Sequence, residues 1–417
     1  MIKKIISTIT LLFSIGVSAQ QSTLSLYSFY GLGLDTFDGN VANSSMGGVS
    51  MFSDVLNYSI DNPATYADLD LTSFGVGASR TSTNIKAKEG TSKGKFTSFD
   101  YLTIAVPAGK FGFGLGLRPY KSKALSVEEY NGTDDSGDFT QKSKISSGNV
   151  NRAYFGVGAK VYDGLKIGGE LQYNFGRLEE QIKRYSDLTF DTRYIYQSDI
   201  SGLSYTLSAI YDYKYSEDIS LRGSLIYQAS AEIKSFNSHE RSTITFSNGI
   251  DFVDDSETID TDDSEFYLPS IVTIGLSAHK KNKWFGAGQV YFRTNNDYQD
   301  PTYEKEGVQY SDSFGVKLGG FYIPKYNSLT NYFSRVVYRL GFNYDKTGIN
   351  INNEDIDDFG ISFGMGLPMP RQFSNVDVGF KFGSRGLITE TLVKENYFVM
   401  SLGLNLGQKW FRKRKFD

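Results

Sequence analysis

From Asn151 to Val161 the sequence alternates without a break. Ala153, Phe155, Val157, Ala159 and Val161 fall on one side, and Arg152, Tyr154, Gly156, Gly158 and Lys160 on the other. A β-strand points successive side chains to opposite faces, so one face of this segment suits lipid and the other water. After Tyr162-Asp163-Gly164 the pattern resumes, with Leu165, Ile167, Gly169, Leu171, Tyr173 and Phe175 opposite Lys166, Gly168, Glu170, Gln172 and Asn174. Two such runs three residues apart predict a tight hairpin. Reading the whole chain at this period predicts fourteen strands, near 72–85, 96–106, 110–125, 147–161, 164–178, 200–214, 218–234, 267–279, 283–293, 312–323, 333–344, 358–368, 374–383 and 396–407. The connections between them alternate. Short ones at 107–110, 162–164, 214–218 and 279–283 face long ones at 126–146, 178–199, 235–266 and 294–311. An even number of antiparallel strands with one rim of short turns and one of long loops is the pattern of an all-β transmembrane barrel. The short rim and both chain ends are then expected in the periplasm.

The ends of the chain agree with export. Lys3 and Lys4, the apolar run Ile5 to Val17 and the small-residue end Val17-Ser18-Ala19 predict a signal peptide over 1–19. After it no apolar run is long enough to cross a bilayer as a helix, which needs roughly 20 residues. With 29 Tyr, 31 Phe and 43 Gly at negative mean hydropathy, the composition fits strands that show lipid only every second residue. There is no cysteine, which removes disulfides and thiolate sites, and the two histidines are too few for most zinc patterns. The formal charge, −4 and then −6 once Lys3 and Lys4 leave, argues against nucleic acid as a partner. The last strand ends on Trp410-Phe411, an aromatic end like a barrel-insertion signal, followed by a basic periplasmic tail over 412–417. The expected location is the cell outer membrane, with the barrel over 72–411 in contact with its lipid.

Residues 20–71, upstream of the first strand, alternate too little to pair. Here Asn62 can cap a turn, Pro63 suits the first helical position, and Ala64 to Leu69 can complete it. The run Met46-Gly47-Gly48-Val49-Ser50 through Asp61-Asn62-Pro63-Ala64 to Leu69, placed just before the first strand, resembles the N-terminal hatch of FadL-type outer membrane proteins, the long-chain fatty acid transporter family. The resemblance implies a fourteen-stranded barrel plugged by a hatch over 20–71, with Asn62, Pro63 and Ala64 as the hatch motif. It also implies passive uptake of hydrophobic small molecules, with a hydrophobic ligand in the lumen. Where many members follow Asn-Pro-Ala with Gly or Ala and Leu, this chain has Thr65-Tyr66-Ala67. The signal-peptide end Ser18-Ala19-Gln20-Gln21 and the Tyr/Asn-rich strands resemble outer membrane proteins of the Bacteroidota, where FadL-type barrels include a PorV-like secretion shuttle. That implies the alternative function: a non-transporting barrel subunit or shuttle of a protein export or assembly complex, with membrane or periplasmic protein partners.

Four further features bear on chemistry. In FGFGLGLRPY, residues 111–120, Gly112, Gly114 and Gly116 lead to Pro119, a combination that weakens ladder bonding and lets a strand bend. By the resemblance, these four residues mark a candidate lateral opening; the alternative is that the glycines make room for the hatch. Arg118, Arg152, Lys160, Glu170, Arg222, Lys317, Arg335, Arg339, Asp377 and Lys381 fall opposite the apolar stripes and are expected to line the lumen, because charge facing lipid at mid-depth costs a few kcal/mol. The acidic run at 251–265 lacks the spacing of a calcium loop and reads as a solvated outer loop, as does 352–358. His239 and His279 are expected on opposite rims, and His239, beside Ser238 and Glu240, belongs to no recognisable hydrolase motif. No enzyme activity, metal or cofactor is expected.

Overall fold

The computed structural model describes residues 25–410 apart from 134–138, 187–189, 248–249, 295–306, 370–372 and 391. The expected signal peptide, 1–19, and the expected tail, 412–417, lie outside the described residues. A two-residue strand, β1 (Leu34–Asp35), precedes the wall. The wall begins with β2 (Thr72–Lys86), β3 (Thr91–Ala108), β4 (Phe111–Thr133), β5 (Phe139–Tyr162), β6 (Leu165–Ser186) and β7 (Asp191–Lys214). Next come β8 (Ile219–Gln228) with its continuation β9 (Ala231–Ser247), then β10 (Ile250–Ile259), β11 (Ser264–Leu268) and β12 (Ser270–Lys280) running back. β13 (Trp284–Thr294), the interrupted pair β14 (Val308–Tyr310) and β15 (Ser313–Tyr322), β16 (Val337–Ile351), β17 (Glu354–Pro368), β18 (Phe373–Arg385) and β19 (Lys394–Gln408) complete it. All pairings are antiparallel. β19 returns to β2 in a ladder from Gln408↔Thr72 to Lys394↔Lys86, which closes the sheet into a barrel of fourteen staves.

The fourteen expected strands are all present, but several are much longer than expected on the rim opposite the short turns. β4 and β5 extend to Thr133 and from Phe139, and β9 and β10 pair through the acidic run, with Asp251 opposite Phe246 and Ile259 opposite His239. Beyond the bilayer there is no lipid face, so polar residues occupy both sides of the strand and the alternation fades. A second difference lies at the start of β16. The strand begins at Val337, while Phe333–Arg335 forms a 3-10 turn in the connection 323–336, the longest on the short-turn rim among the described residues.

Burial follows the pleat. Along β17 exposed and buried residues alternate over almost the whole strand. Phe111, Leu115, Phe155, Leu171, Leu207 and Leu276 are among the large apolar side chains exposed on the outer face. An apolar belt of this extent around a closed barrel is a lipid face.

Residues 25–71 run through the barrel. Leu26 N–H donates to Glu395 on β19, Gly47 N–H to Ser362 on β17, Ser50 N–H to Gln289 on β13, and Ala64 N–H to Ser208 on β7. Only a segment in the lumen reaches walls on all sides. Its regular pieces are short: a 3-10 turn at Leu26–Phe29, a one-turn helix at Val41–Ser44 capped by the Asn40 side chain, and a 3-10 helix at Pro63–Asp68. Burial rather than helix length holds them. Met46, Val49, Met51, Ile60, Ala64 and Tyr66 are completely buried.

Candidate functional site

Wall glycines seat the lumenal segment. A Cβ on Gly168 would lie 2.2 Å from Ala64 N, one on Gly158 2.5 Å from Pro63 O, and one on Gly112 2.0 Å from Tyr66 O. These glycines, on β6, β5 and β4, let backbone pack on backbone. Tyr66 continues the contact over Gly114 and Gly156, and its hydroxyl donates to Glu170 at 3.3 Å. A second seat faces the first stretch of the resemblance. Gly319 and Gly341 leave room for Met46 and Gly47, and Gly47 and Gly48 take φ of +72° and +79°, a region open chiefly to glycine. Asn62 has no capping hydrogen bond; its amide instead donates to Ser224 on β8, while Pro63 occupies the first helical position.

Charge pins what the glycines seat. Four carboxylates of the lumenal segment each meet a wall cation. Asp68 pairs with Lys166 at 2.6 Å and Arg222 at 3.1 Å, and both cations also reach Asp212 on β7. Asp35 pairs with Lys121 at 2.8 Å and Arg293 at 3.0 Å, Asp61 with Arg118, and Asp38 with Lys381. Burial pushes the Asp35 carboxyl up, but Lys121 and Arg293 outweigh it and hold the group well below the ordinary carboxylate range. Lys381 does the same for Asp38.

Of the residues expected to line the lumen, Arg118, Arg152, Glu170, Arg222, Arg339 and Asp377 are buried inside the wall. Arg339 and Asp377 pair with each other at 2.7 Å, and Asn405 donates to the second Asp377 oxygen. Arg152 rests on the Tyr120 ring at 3.8 Å and donates to Asn174. Lys317 approaches Gly48 and the Tyr291 ring. Two residues lie elsewhere. Lys160 is exposed near the short-turn rim, and Arg335 sits in the 3-10 turn before β16, over the Tyr332 ring, because the stave starts later than its alternation suggests. Asp35, Asp38, Asp61 and Asp68 were not among the expected residues, since the lumenal segment has no periodicity to assign a face. Arg293 was legible in principle, as it shares the inward face of β13 with Gln289 and Tyr291.

The lumenal segment leaves two cavities of different character. A cavity of about 260 Å³ is lined by Asp35, Asp61, Arg118, Arg152, Arg293 and Lys381 among others. A side cavity of about 160 Å³ lies between residues 34–39 and the inner faces of β2, β3, β18 and β19. Ligand sites for apolar molecules are lined mainly by apolar and aromatic groups with few charges; the larger cavity lacks that character, whereas the side cavity brings Leu34, Phe37, Val41, Phe96 and Phe380 together beside Asp38, Asp100 and Lys381.

Between β3 and β4 the wall opens. Gly112, Gly114 and Gly116 are fully paired, to Pro107, Ala105 and Thr103 on β3 and to Gly158, Gly156 and Tyr154 on β5. The β3–β4 ladder ends at Leu102↔Leu117, just before Pro119. Pro119 has no N–H to donate, β4 bulges between Pro119 and Lys121, and β3 bulges at Asp100. Past the break β1 takes the free edge of β4, with Leu34↔Ser122 and Asp35↔Lys121, and Thr36 N–H donates to Tyr120 O. His239 stacks on Tyr196 in the long extensions, and His279 lies at the opposite end near Phe285.

Solved structures with this fold cover nearly the whole chain. The Pseudomonas putida toluene transporter TodX is 16% identical, with a TM-score of 0.61 over 90% of this chain and 99% of that one. The CymD monoaromatic hydrocarbon channel is 13% identical, with a TM-score of 0.55 over 89% and 98%. A Pseudomonas aeruginosa FadL homologue is 11% identical, with a TM-score of 0.58 over 89% and 98%. The fold is thus shared with FadL-type barrels, while a search of curated proteins finds no significant match. The family model described as BamG matches residues 1–417, the whole chain, and the protein belongs to the BamG family.

Proposed function

We propose that this protein is an outer-membrane barrel that works through its wall and rims rather than through its lumen, as a non-transporting subunit of a protein export or assembly complex. One observation carries the reading: the lumenal segment is ion-paired to the wall through four carboxylates, and the cavity of about 260 Å³ that it leaves is ringed by charged groups. Moving such a plug strips the nearly inaccessible Arg118, Lys166 and Arg222 of a partner carboxylate at once, and a buried charge left without its partner is costly. The short-turn rim offers exposed apolar groups outside the barrel proper, with Leu329 and Phe333 of the 323–336 connection 99% and 70% exposed.

Uptake of hydrophobic small molecules is the second reading. The fold shared with a toluene transporter and the ladder break beside the side cavity favour it. Mass spectrometry of the gently solubilised native particle separates the two. A stoichiometric protein partner without a bound hydrophobic molecule supports the subunit reading. An isolated barrel that carries such a molecule, and that admits a hydrophobic probe into liposomes, supports uptake instead. A hydrolytic role has little behind it, because the two histidines lie at opposite ends of the barrel.

A further inference from the structure

Past the ladder break the two strands are treated differently. The edge of β4 is satisfied by the lumenal segment, through β1, the Thr36 N–H and the Ser28 hydroxyl, which meets both Ala124 N–H and Ala124 O. The edge of β3 is not. From Thr91 to Tyr101 every ladder partner of β3 is on β2, and no backbone hydrogen bond of this stretch reaches across the gap among the described residues. Eleven residues of strand extend about 33 Å at ~3.3 Å per residue, which leaves a long row of unpaired N–H and C=O groups, a template for another strand.

The side chains on this edge narrow what it can accept. Ser98 and Phe96 face inward onto the side cavity beside Thr36 and Phe37, while Lys93, Lys95 and Thr97 are exposed on the outer face, next to Arg80 on β2. A second copy of this chain pairing edge to edge would place two Lys93/Lys95 pairs on one joint, directly opposed in the register centred on Gly94, and like charges so placed destabilise a strand pair. A strand with acidic residues at alternate positions meets the opposite condition. Its other face, which would lie over Phe96 and Phe37, is better small or apolar.

We propose that the Thr91–Tyr101 edge of β3 is a strand-addition site that takes an extended, acidic-faced segment of a different polypeptide, pairing antiparallel to β3 in the gap that β1 leaves open. Main-chain hydrogen bonds supply the affinity, and the Lys93/Lys95 pair supplies the charge selection. The lumenal segment already uses the same kind of pairing on the opposite lip of the gap. This proposal rests on the partner-subunit reading above.

Amide hydrogen exchange on the native particle, and on the barrel after its partner has been stripped, tests it. Peptides covering 91–101 are expected to exchange at least tenfold more slowly in the complex. Peptides covering 165–175, paired on both sides, serve as the unchanged reference. The double substitution Lys93→Glu and Lys95→Glu is expected to lower recovery of the partner at least tenfold while the heat-modifiable band of the folded barrel persists. Lys93→Arg with Lys95→Arg is expected to restore recovery. A partner retained with 91–101 exchanging equally fast in both states overturns the strand-addition site but leaves the subunit reading intact. A native mass showing only copies of this chain, or no partner at all, overturns both.

Discussion

At the scale of single residues, the buried charges divide into those that hold the wall together and those that hold the plug. Arg339 and Asp377 belong to the first group, both nearly inaccessible, on β16 and β18 with β17 between them. Asp377→Ala leaves the guanidinium buried without its carboxylate, and a loss of about 3 kcal/mol is expected in denaturant unfolding of the refolded barrel. Asp68 belongs to the second. Asp68→Ala leaves Lys166 and Arg222 their other partner, Asp212, so the wall is expected to survive while residues 25–71 become cleavable by added protease. The paired carboxyls also set an acid limit. Asp35 and Asp38 titrate below the unfolded value near ~3.9. Their stabilisation is therefore complete above that pH and is lost as the pH falls through the folded values. The part of the melting temperature owed to these two pairs is expected to drop below about pH 4, so the drop is shallower in the Asp35→Asn, Asp38→Asn variant.

At the scale of elements, glycine placement decides what fits inside. The alternation that exposes a strand to sequence reading is a record of lipid on one side, so all fourteen staves are legible wherever the bilayer touches them. The stretches beyond Ser126 on β4, Leu178 on β6 and Ser235 on β9 are strands without that record and read as loops. The glycines of 111–120 show the converse: their pattern on β4 is visible, but its purpose depends on Tyr66, which no local rule places opposite them. Gly168→Val tests the seat. Its Cβ would overlap the Ala64 backbone, and the expected result is a barrel that still migrates as a folded band but whose lumenal segment is protease-sensitive. An equal substitution at Gly169, whose Cβ would meet only the Leu207 side chain at 3.6 Å, is expected to leave the plug protected.

At the scale of the whole molecule, the wall was readable and the interior largely was not. Asn62, Pro63 and Ala64 stand out in the sequence because they are unusual together. The carboxylates that meet the wall do not, since a single Asp in an aperiodic segment carries no direction. The complete barrel is also where the two functional readings part. If the lumen is shut, deleting residues 25–71 is expected to raise ion conductance in planar bilayers sharply, while the intact protein shows no steady channel; an open channel in the intact protein argues for transport.

The lumenal segment also says something about time. It precedes every stave of the wall in the chain, yet its partners are Ser224, Gln289, Ser362 and Glu395, the last of them on the final stave. Contacts so distant along the chain are slow to form. Residues 25–71 therefore stay unsatisfied until the sheet is nearly closed, and their docking reports that closure has happened. A chain stopped before β19 lacks Glu395 and the partner of β2, and its lumenal segment is expected to remain open to protease however well the other thirteen staves pair.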